Sequence, residues 1–142
     1  MIEYKNLENL RLAIIIRNEY YKEGIEFFTN EHDSQQLGYM CRQKDYSILP
    51  HCHNIVPREV HLTQEVLYIK KGKVRVDFYD NEKKYAFSSI LYKGDVILLA
   101  DGGHGFKMIE DSEIIEIKQG PYCGEEDKVR FTSILEDQII IQ

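Results

Sequence analysis

The stretch from residue 64 to residue 80 reads QEVLYIKKGKVRVDFYD and carries the clearest pattern in the chain. Apolar and polar side chains alternate along VRVDFYD, which is the period of two expected for a strand with one wet face. In EVLYIK the same alternation sets Glu65, Leu67 and Ile69 on one side. The glycine of KKGK marks a turn between the two halves. The stretch is therefore predicted to form two consecutive β-strands.

Other short candidate strands lie before and after this stretch in the sequence. They are separated by glycine or Asx turns such as YDNEKK, YKGD and DGGHG. Many short strands separated by such turns are typical of a β-sandwich or barrel. We therefore predict an all-β fold with little helix, confined to a short segment near residues 31–36 or to the tail after Cys123. The predicted strands are 10–17, 24–29, 36–42, 46–53, 63–71, 73–79, 84–91, 95–99, 105–110 and 112–119.

Length and charge limit the domain count and the partners. With 142 residues, of which 43% are hydrophobic, the chain can bury a core of its own, and we predict a single domain over residues 1–142. A formal charge of −6 without a basic cluster argues against nucleic acid or an anionic membrane as partner. The longest apolar run, LAIII at 12–16, is too short to cross a bilayer, and no signal-peptide pattern is visible. A small-molecule ligand is the expected partner.

The cysteines indicate a compartment rather than a site. Cys41, Cys52 and Cys123 are an odd number and form no CxxC pair. This usage fits a reduced setting, so we expect a cytoplasmic protein.

Side chains that could hold a metal ion lie in three separate segments. His51 and His53 are two apart in a predicted strand, which would turn both imidazoles to one face and Cys52 to the other. Glu65 begins the next predicted strand, and His104 stands in the glycine-rich DGGHG. Three histidines and one carboxylate suit a first-row divalent metal with positions open to substrate or water. The sequence therefore predicts a metal site made of His51, His53, Glu65 and His104.

The order of these residues resembles the motifs of the cupin superfamily. Its first motif is HxH, three or four residues, Glu, six residues and Gly, and Glu65 with Gly72 matches the second half. KGDVILLADGGHG resembles the second motif through Gly94, Asp95 and His104. QEVLYI, GKVRVDFYD, GGHGF and EIKQGPY are further similar to small uncharacterised bacterial cupin-like proteins found among genes for nucleotide sugars and surface polysaccharides.

One departure from the cupin pattern leaves a second ligand set open. Eleven residues separate His53 from Glu65, where the usual spacing would select Glu59 and His61 in place of His51 and His53. The set of Glu59, His61, Glu65 and His104 is the alternative. A proline within 54–61 fits a loop better than a strand, which favours the HxH pair at the end of the preceding strand.

A second departure concerns the aim of His104. Ala100 replaces the proline of the second motif, and His104 arrives one residue early. A slip of one residue reverses a side chain in a strand, so the direction of this imidazole stays open.

The resemblance implies a double-stranded β-helix, or jelly-roll, barrel that forms a homodimer. It also implies a small polar ligand, namely a sugar or a sugar nucleotide. With one divalent transition metal (iron, zinc, manganese or nickel), the expected chemistry is Lewis-acid isomerisation or epimerisation. An iron-dependent dioxygenase and a non-catalytic small-molecule or carbohydrate-binding module are the alternatives, because this fold hosts all three kinds of function.

Three polar residues are candidates for contacts with the ligand. Arg58 could hold a carboxylate or phosphate through its planar guanidinium. Tyr39 in QQLGYM and Gln119 in IKQG could offer a hydroxyl and an amide to the pocket. Lys118 and Gln119 would face opposite sides of a regular strand, so only one of them can point inward.

Overall fold

The computed structural model describes residues 1–142, and its regular structure is almost entirely β-strand. The all-β prediction is confirmed. Two short 3₁₀ turns, Gly124–Asp127 and Glu136–Gln138, are the helical segments, and no helix is long and apolar enough to cross a membrane. The strands are β1 (Ile2–Leu7), β2 (Leu10–Ile16), β3 (Gly24–Phe27), β4 (Gly38–Cys41), β5 (Glu65–Lys71), β6 (Lys73–Tyr79), β7 (Tyr85–Tyr92), β8 (Val96–Leu99), β9 (Gly103–Met108) and β10 (Glu113–Lys118).

The chain divides into two compact units. The first comprises Met1–Tyr20 and Thr63–Gln142, and the second is the intervening Tyr21–Leu62. A single domain over residues 1–142 stays a prediction.

The first unit contains two antiparallel sheets. One has five strands in the order β1-β2-β8-β5-β10, and the other has three in the order β7-β6-β9. Inner-face side chains of both sheets form one hydrophobic core, because residues such as Leu67 and Ile97 from the first sheet cluster with Val76 and Phe78 from the second. The two strands predicted for residues 64–80 are thus confirmed, and their alternating apolar side chains face the core. The sheets are not closed into a barrel.

Two turns in the first unit require glycine. Gly72 joins β5 to β6 with a φ of 86°, and a Cβ there would lie 2.4 Å from the Asp111 carbonyl oxygen. Gly102 precedes β9 with a φ of 71°, and a Cβ there would lie 2.4 Å from the carbonyl oxygen of Tyr79. Positive φ and the close backbone both exclude a side chain. Both glycines belong to the segments that resemble the cupin motifs.

The C-terminal tail covers the outer face of β6. Arg75 is buried there and binds Asp77 (Nε to Oδ1, 2.7 Å) and Glu136 of the tail (Nη1 to Oε2, 2.8 Å). Tyr79 packs against Phe131 with ring centroids 5.0 Å apart. These contacts explain why polar residues on a face predicted to be wet are buried.

The end of the tail also pairs with β7. The Ser88 N–H donates to the Ile140 carbonyl at 2.7 Å, and the Gln142 N–H donates to the Ser88 carbonyl at 2.8 Å. The free edge of the three-stranded sheet beside β7 is therefore covered, as edge strands commonly are.

The second unit contains the antiparallel pair β3 and β4, with Phe28 and Leu37 buried nearby. After Cys41 every residue from 42 to 63 is exposed and no strand forms. The predicted strand 46–53 is therefore wrong. Its apolar residues Ile48 and Leu49 are 57% and 81% exposed, so no buried face is available to select the period of two.

The sequence interpretation missed one strand, and of the two places predicted for a short helix, the tail after Cys123 is the one that contains it, at Gly124–Asp127. β1 was not predicted, because IEYKNL is short and precedes any clear turn signal, yet it pairs along the whole of β2. The segment 31–36 forms turns rather than a helix, held by bonds such as Asn30 N–H to Asp33 Oδ2 at 2.8 Å. Asx turns of this kind compete with the start of a helix.

Candidate functional site

Two of the predicted metal ligands meet inside the first unit. Glu65 is the first residue of β5 in the five-stranded sheet, and His104 is the second residue of β9 in the three-stranded sheet. The Nε2 atom of His104 donates to Oε2 of Glu65 across the space between the sheets, at 3.2 Å. Residues from two separate motifs therefore form one contact.

The pairing registers explain why both side chains point inward. Glu65 lies opposite Leu99 of β8, and His104 lies opposite Phe78 of β6. Directly opposed residues in antiparallel strands share a face, and both Leu99 and Phe78 belong to the core. The aim of His104, which the sequence left open, is thus toward the interior.

Glu65 is held in its charged form. Its side chain is 15% exposed, and the hydrogen bond from His104 holds its pKa below the ordinary value against the opposing effect of burial. Lys118 and Lys128 add positive charge that lowers the pKa further. A carboxylate that is mostly buried and ionised is suited to bind a cation.

Lys118 is the third polar side chain of the site. It lies opposite Glu65 in the β10–β5 pair, so its side chain shares the inner face, and Nζ is 3.9 Å from Glu65 Oε1. Asp127, which follows in the tail, approaches the same ammonium at 3.9 Å. The site therefore consists of Glu65 and His104 in contact, with Lys118 beside them.

The sequence interpretation chose Gln119, and not its neighbour Lys118, as the side chain that contacts the ligand. The Gln119 side-chain oxygen accepts the backbone N–H of Gln64 at 2.6 Å, a contact that fixes the start of β5. Alternation along EIIEIK would have identified Lys118, because it places this lysine on the same side as the core-packed Ile114. A ligand contact of Gln119 stays a prediction.

The remaining predicted residues belong to the second unit. His51 and His53 are exposed, with ring centroids 5.3 Å apart in an edge-to-face arrangement. Both imidazoles therefore lie near one point in space without a strand to align them. The full set of His51, His53, Glu65 and His104 stays a prediction, and no group of three or more His, Cys, Asp or Glu side chains gathers in the structure.

The alternative pair, Glu59 and His61, also forms a local contact. Nε2 of His61 lies 3.0 Å from Oε1 of Glu59, and both side chains are more than four-fifths exposed. Each of the two alternative pairs, His51 with His53 and Glu59 with His61, therefore forms a local contact within the second unit.

The two other ligand-contact candidates lie elsewhere in the second unit. Arg58 is exposed and donates a long 3.5 Å bond to the carbonyl of Val56. Tyr39 is part of β4 and is partly buried. Both assignments stay predictions.

The observed pair fits a metal ion in donor type and spacing. Two ligands of one zinc-like ion, each about 2.0–2.2 Å from it, lie about 2.8–3.6 Å apart at octahedral or tetrahedral angles, a range that overlaps ordinary hydrogen-bond lengths. The 3.2 Å between His104 Nε2 and Glu65 Oε2 is within that range. An imidazole and a carboxylate also suit divalent transition metals.

No protein-family model matches the chain, and neither a curated protein nor a solved structure does.

Proposed function

We propose that the chain is a metal-binding protein of the cupin type that binds or transforms a small polar metabolite, a sugar or a sugar nucleotide. The observation that carries the proposal is the 3.2 Å contact between Glu65 and His104. These residues come from two motifs and lie 39 positions apart in sequence, and both belong to the ligand set that the sequence predicts. The substrate class rests on the resemblance of the sequence to bacterial cupin-like proteins.

The corresponding fold proposal is a double-stranded β-helix. Antiparallel pairing between the strands of both sheets, and a core that the five-stranded and three-stranded sheets share, support it. The glycine turns at Gly72 and Gly102, in the two cupin-like segments, support it as well.

In this proposal His51 and His53 complete the donor set, with Glu59 and His61 as the alternative pair. Iron, zinc, manganese and nickel are all compatible with three imidazoles and one carboxylate, or with two of each.

The chain's own residues have distinct tasks in such a site. A metal would act as a Lewis acid on a carbonyl or hydroxyl oxygen of the ligand. With a metal bound, Nε2 of His104 and the Glu65 carboxylate would both be ligands in place of their hydrogen bond, and Glu65 would supply negative charge to the ion. Lys118, whose side chain is 26% exposed, can donate to an anionic oxygen of the ligand and supply a proton to it.

Metal content per chain, measured by elemental analysis on untagged protein purified without chelator, tests the proposal. We expect about one metal ion per chain in the wild type, lost in Glu65→Gln/His104→Ala and in His51→Ala/His53→Ala. Glu59→Gln/His61→Ala should keep the metal. If instead His51→Ala/His53→Ala keeps the metal and Glu59→Gln/His61→Ala loses it, the ligands are Glu59, His61, Glu65 and His104.

His32→Ala is the matched control, because His32 is an exposed histidine outside both sets. A wild type that holds no metal after reloading with iron, zinc, manganese and nickel would refute the metal proposal.

A non-catalytic binding module is the second candidate, since the Glu65–His104 bond satisfies both groups without a metal. In that case affinity for a sugar ligand would survive exhaustive chelation. Oxygen consumption by the iron-loaded protein with a substrate would instead identify the dioxygenase alternative.

A further inference from the structure

The last strand of the five-stranded sheet, β10, has one edge without a partner strand. The backbone of Ile69 in β5 is turned away from β10, because its N–H donates to the Asp95 carbonyl and its carbonyl accepts the Gly94 N–H. Ile114 lies opposite Ile69, so its own N–H and carbonyl point to the free edge. By alternation along the strand, Glu116 and Lys118 also direct their backbone groups outward.

The side chains of β10 leave this edge apolar on one face and charged on the other. Ile115 and Ile117 are 49% and 56% exposed on the outer face. Glu116 and Lys118 share the inner face, since they lie opposite Leu67 and Glu65. An unpaired strand with exposed isoleucines is a template for another strand.

The sequence of β10 is self-complementary in one antiparallel register. When two copies pair about a two-fold axis through Ile117, the two Ile117 residues face each other, and each Glu116 lies opposite the other copy's Lys118. An axis at Glu116 would oppose two glutamates, and an axis at Ile115 would place Glu116 opposite Ile114. Opposite charges in directly facing positions stabilise a strand pair, and like charges destabilise it.

We propose that two copies of the chain form a dimer by antiparallel pairing of their β10 strands in the register centred on Ile117. The outward N–H and carbonyl groups of Glu116 and Lys118 then bond each other across the axis, giving one continuous sheet through both copies. Lys118 also lies beside Glu65, so each candidate site borders this interface. The dimer proposal stands without any metal at that site.

Charge reversal tests the register. Glu116→Lys and Lys118→Glu each create two like-charge pairs and should raise the dimer dissociation constant at least tenfold in analytical ultracentrifugation. The double variant Glu116→Lys/Lys118→Glu restores the opposite charges and should return close to wild type. Glu82→Lys and Lys84→Glu make the same charge changes in the exposed β6–β7 turn and should leave dimerisation unaltered.

A disulfide experiment tests the axis independently of these variants. In the proposed register the Ile117 pair is non-hydrogen-bonded, with Cα atoms about 4.5 Å apart, which a disulfide can span. In a background with Cys41, Cys52 and Cys123 changed to serine, Ile117→Cys should give covalent dimers under mild oxidation. Ile115→Cys, whose counterpart lies four positions away along the strand, should not.

Three results would overturn the proposal. They are a wild type that stays monomeric at all accessible concentrations, a dimer insensitive to both single reversals, and equal crosslinking by the two cysteine variants.

Discussion

Three polar side chains, Glu65, His104 and Lys118, meet at the amino end of β5. Glu65 accepts from His104 at 3.2 Å, and the Lys118 ammonium is 3.9 Å from the other carboxylate oxygen. The sequence identified Glu65 and His104 because spacing and motif order suffice for them. It did not identify Lys118, because Lys118 and Gln119 face opposite sides, and the choice between them requires that the alternation along β10 be counted from a core-packed residue such as Ile114.

The lysine leads to a first prediction. Lys118→Met removes a positive charge beside the carboxylate, so metal affinity should rise by on the order of tenfold, ~1.4 kcal/mol. Competition with a metal-sensitive dye measures the change. Lys70→Met, which removes an exposed lysine paired with Glu113, is the matched control and should leave the affinity unchanged. An unchanged affinity in Lys118→Met would mean that the ammonium does not act on the bound ion.

A second prediction concerns the turn before β6. Gly72→Ala should lower the free energy of unfolding by about 2–4 kcal/mol, because its φ is 86° and its Cβ would lie 2.4 Å from the Asp111 carbonyl. Urea denaturation measures the loss. Gly105→Ala is the control, since the nearest atom to its Cβ is 4.0 Å away. Similar midpoints for the two variants would contradict the assigned turn.

At the scale of elements, β5 and β6 were predictable because alternating residues face a core on one side. The segment 46–53 shows the limit of that signal. Tyr46, Ile48 and Pro50 alternate with other residues as in a strand, but all residues from 42 to 63 are exposed. A period of two predicts a strand only where another element covers its apolar face, and a single sequence does not contain that information. The predicted metal ligands His51 and His53 lie on this segment, so no strand sets the direction of their side chains.

The tail gives a third prediction, on acid stability. Hydrogen bonds from Arg75 and Lys107 lower the pKa of Glu136 from 4.5 to about 2. A carboxyl whose folded pKa is depressed stabilises the folded state above its ordinary pKa and loses that effect as pH falls. The attachment of the tail should therefore be complete above about pH 4.5 and weaken as the pH falls toward about 2.

Hydrogen exchange at the Ser88 amide reports this attachment, since that N–H donates to Ile140 of the tail. Glu136→Gln should speed exchange of this amide at neutral pH, whereas Glu113→Gln, at an exposed ion pair, should not. Equal protection in Glu136→Gln and wild type would show that the ion pairs of Glu136 do not contribute to holding the tail.

At the scale of the molecule, short strands and glycine turns predicted the all-β class, and the structure confirms it. The strand order β1-β2-β8-β5-β10 could not be read from sequence, because it depends on pairings between residues as distant as Ala13 and Leu99. Packing of the two sheets on one core brings Glu65 and His104 together. The residue types of the site were therefore predictable, and their contact was not.

The most direct test of the metal proposal follows the imidazole of His104 itself. ¹⁵N-labelled protein is titrated with zinc, and the ring-nitrogen resonances are observed by long-range ¹H–¹⁵N correlation. The proposal predicts that the Nε2 resonance of His104 shifts and saturates at one equivalent of zinc, and that Glu65→Gln weakens this response strongly. If the ring-nitrogen resonances of other histidines shift and saturate with zinc while the His104 resonance stays unchanged, the proposal is contradicted.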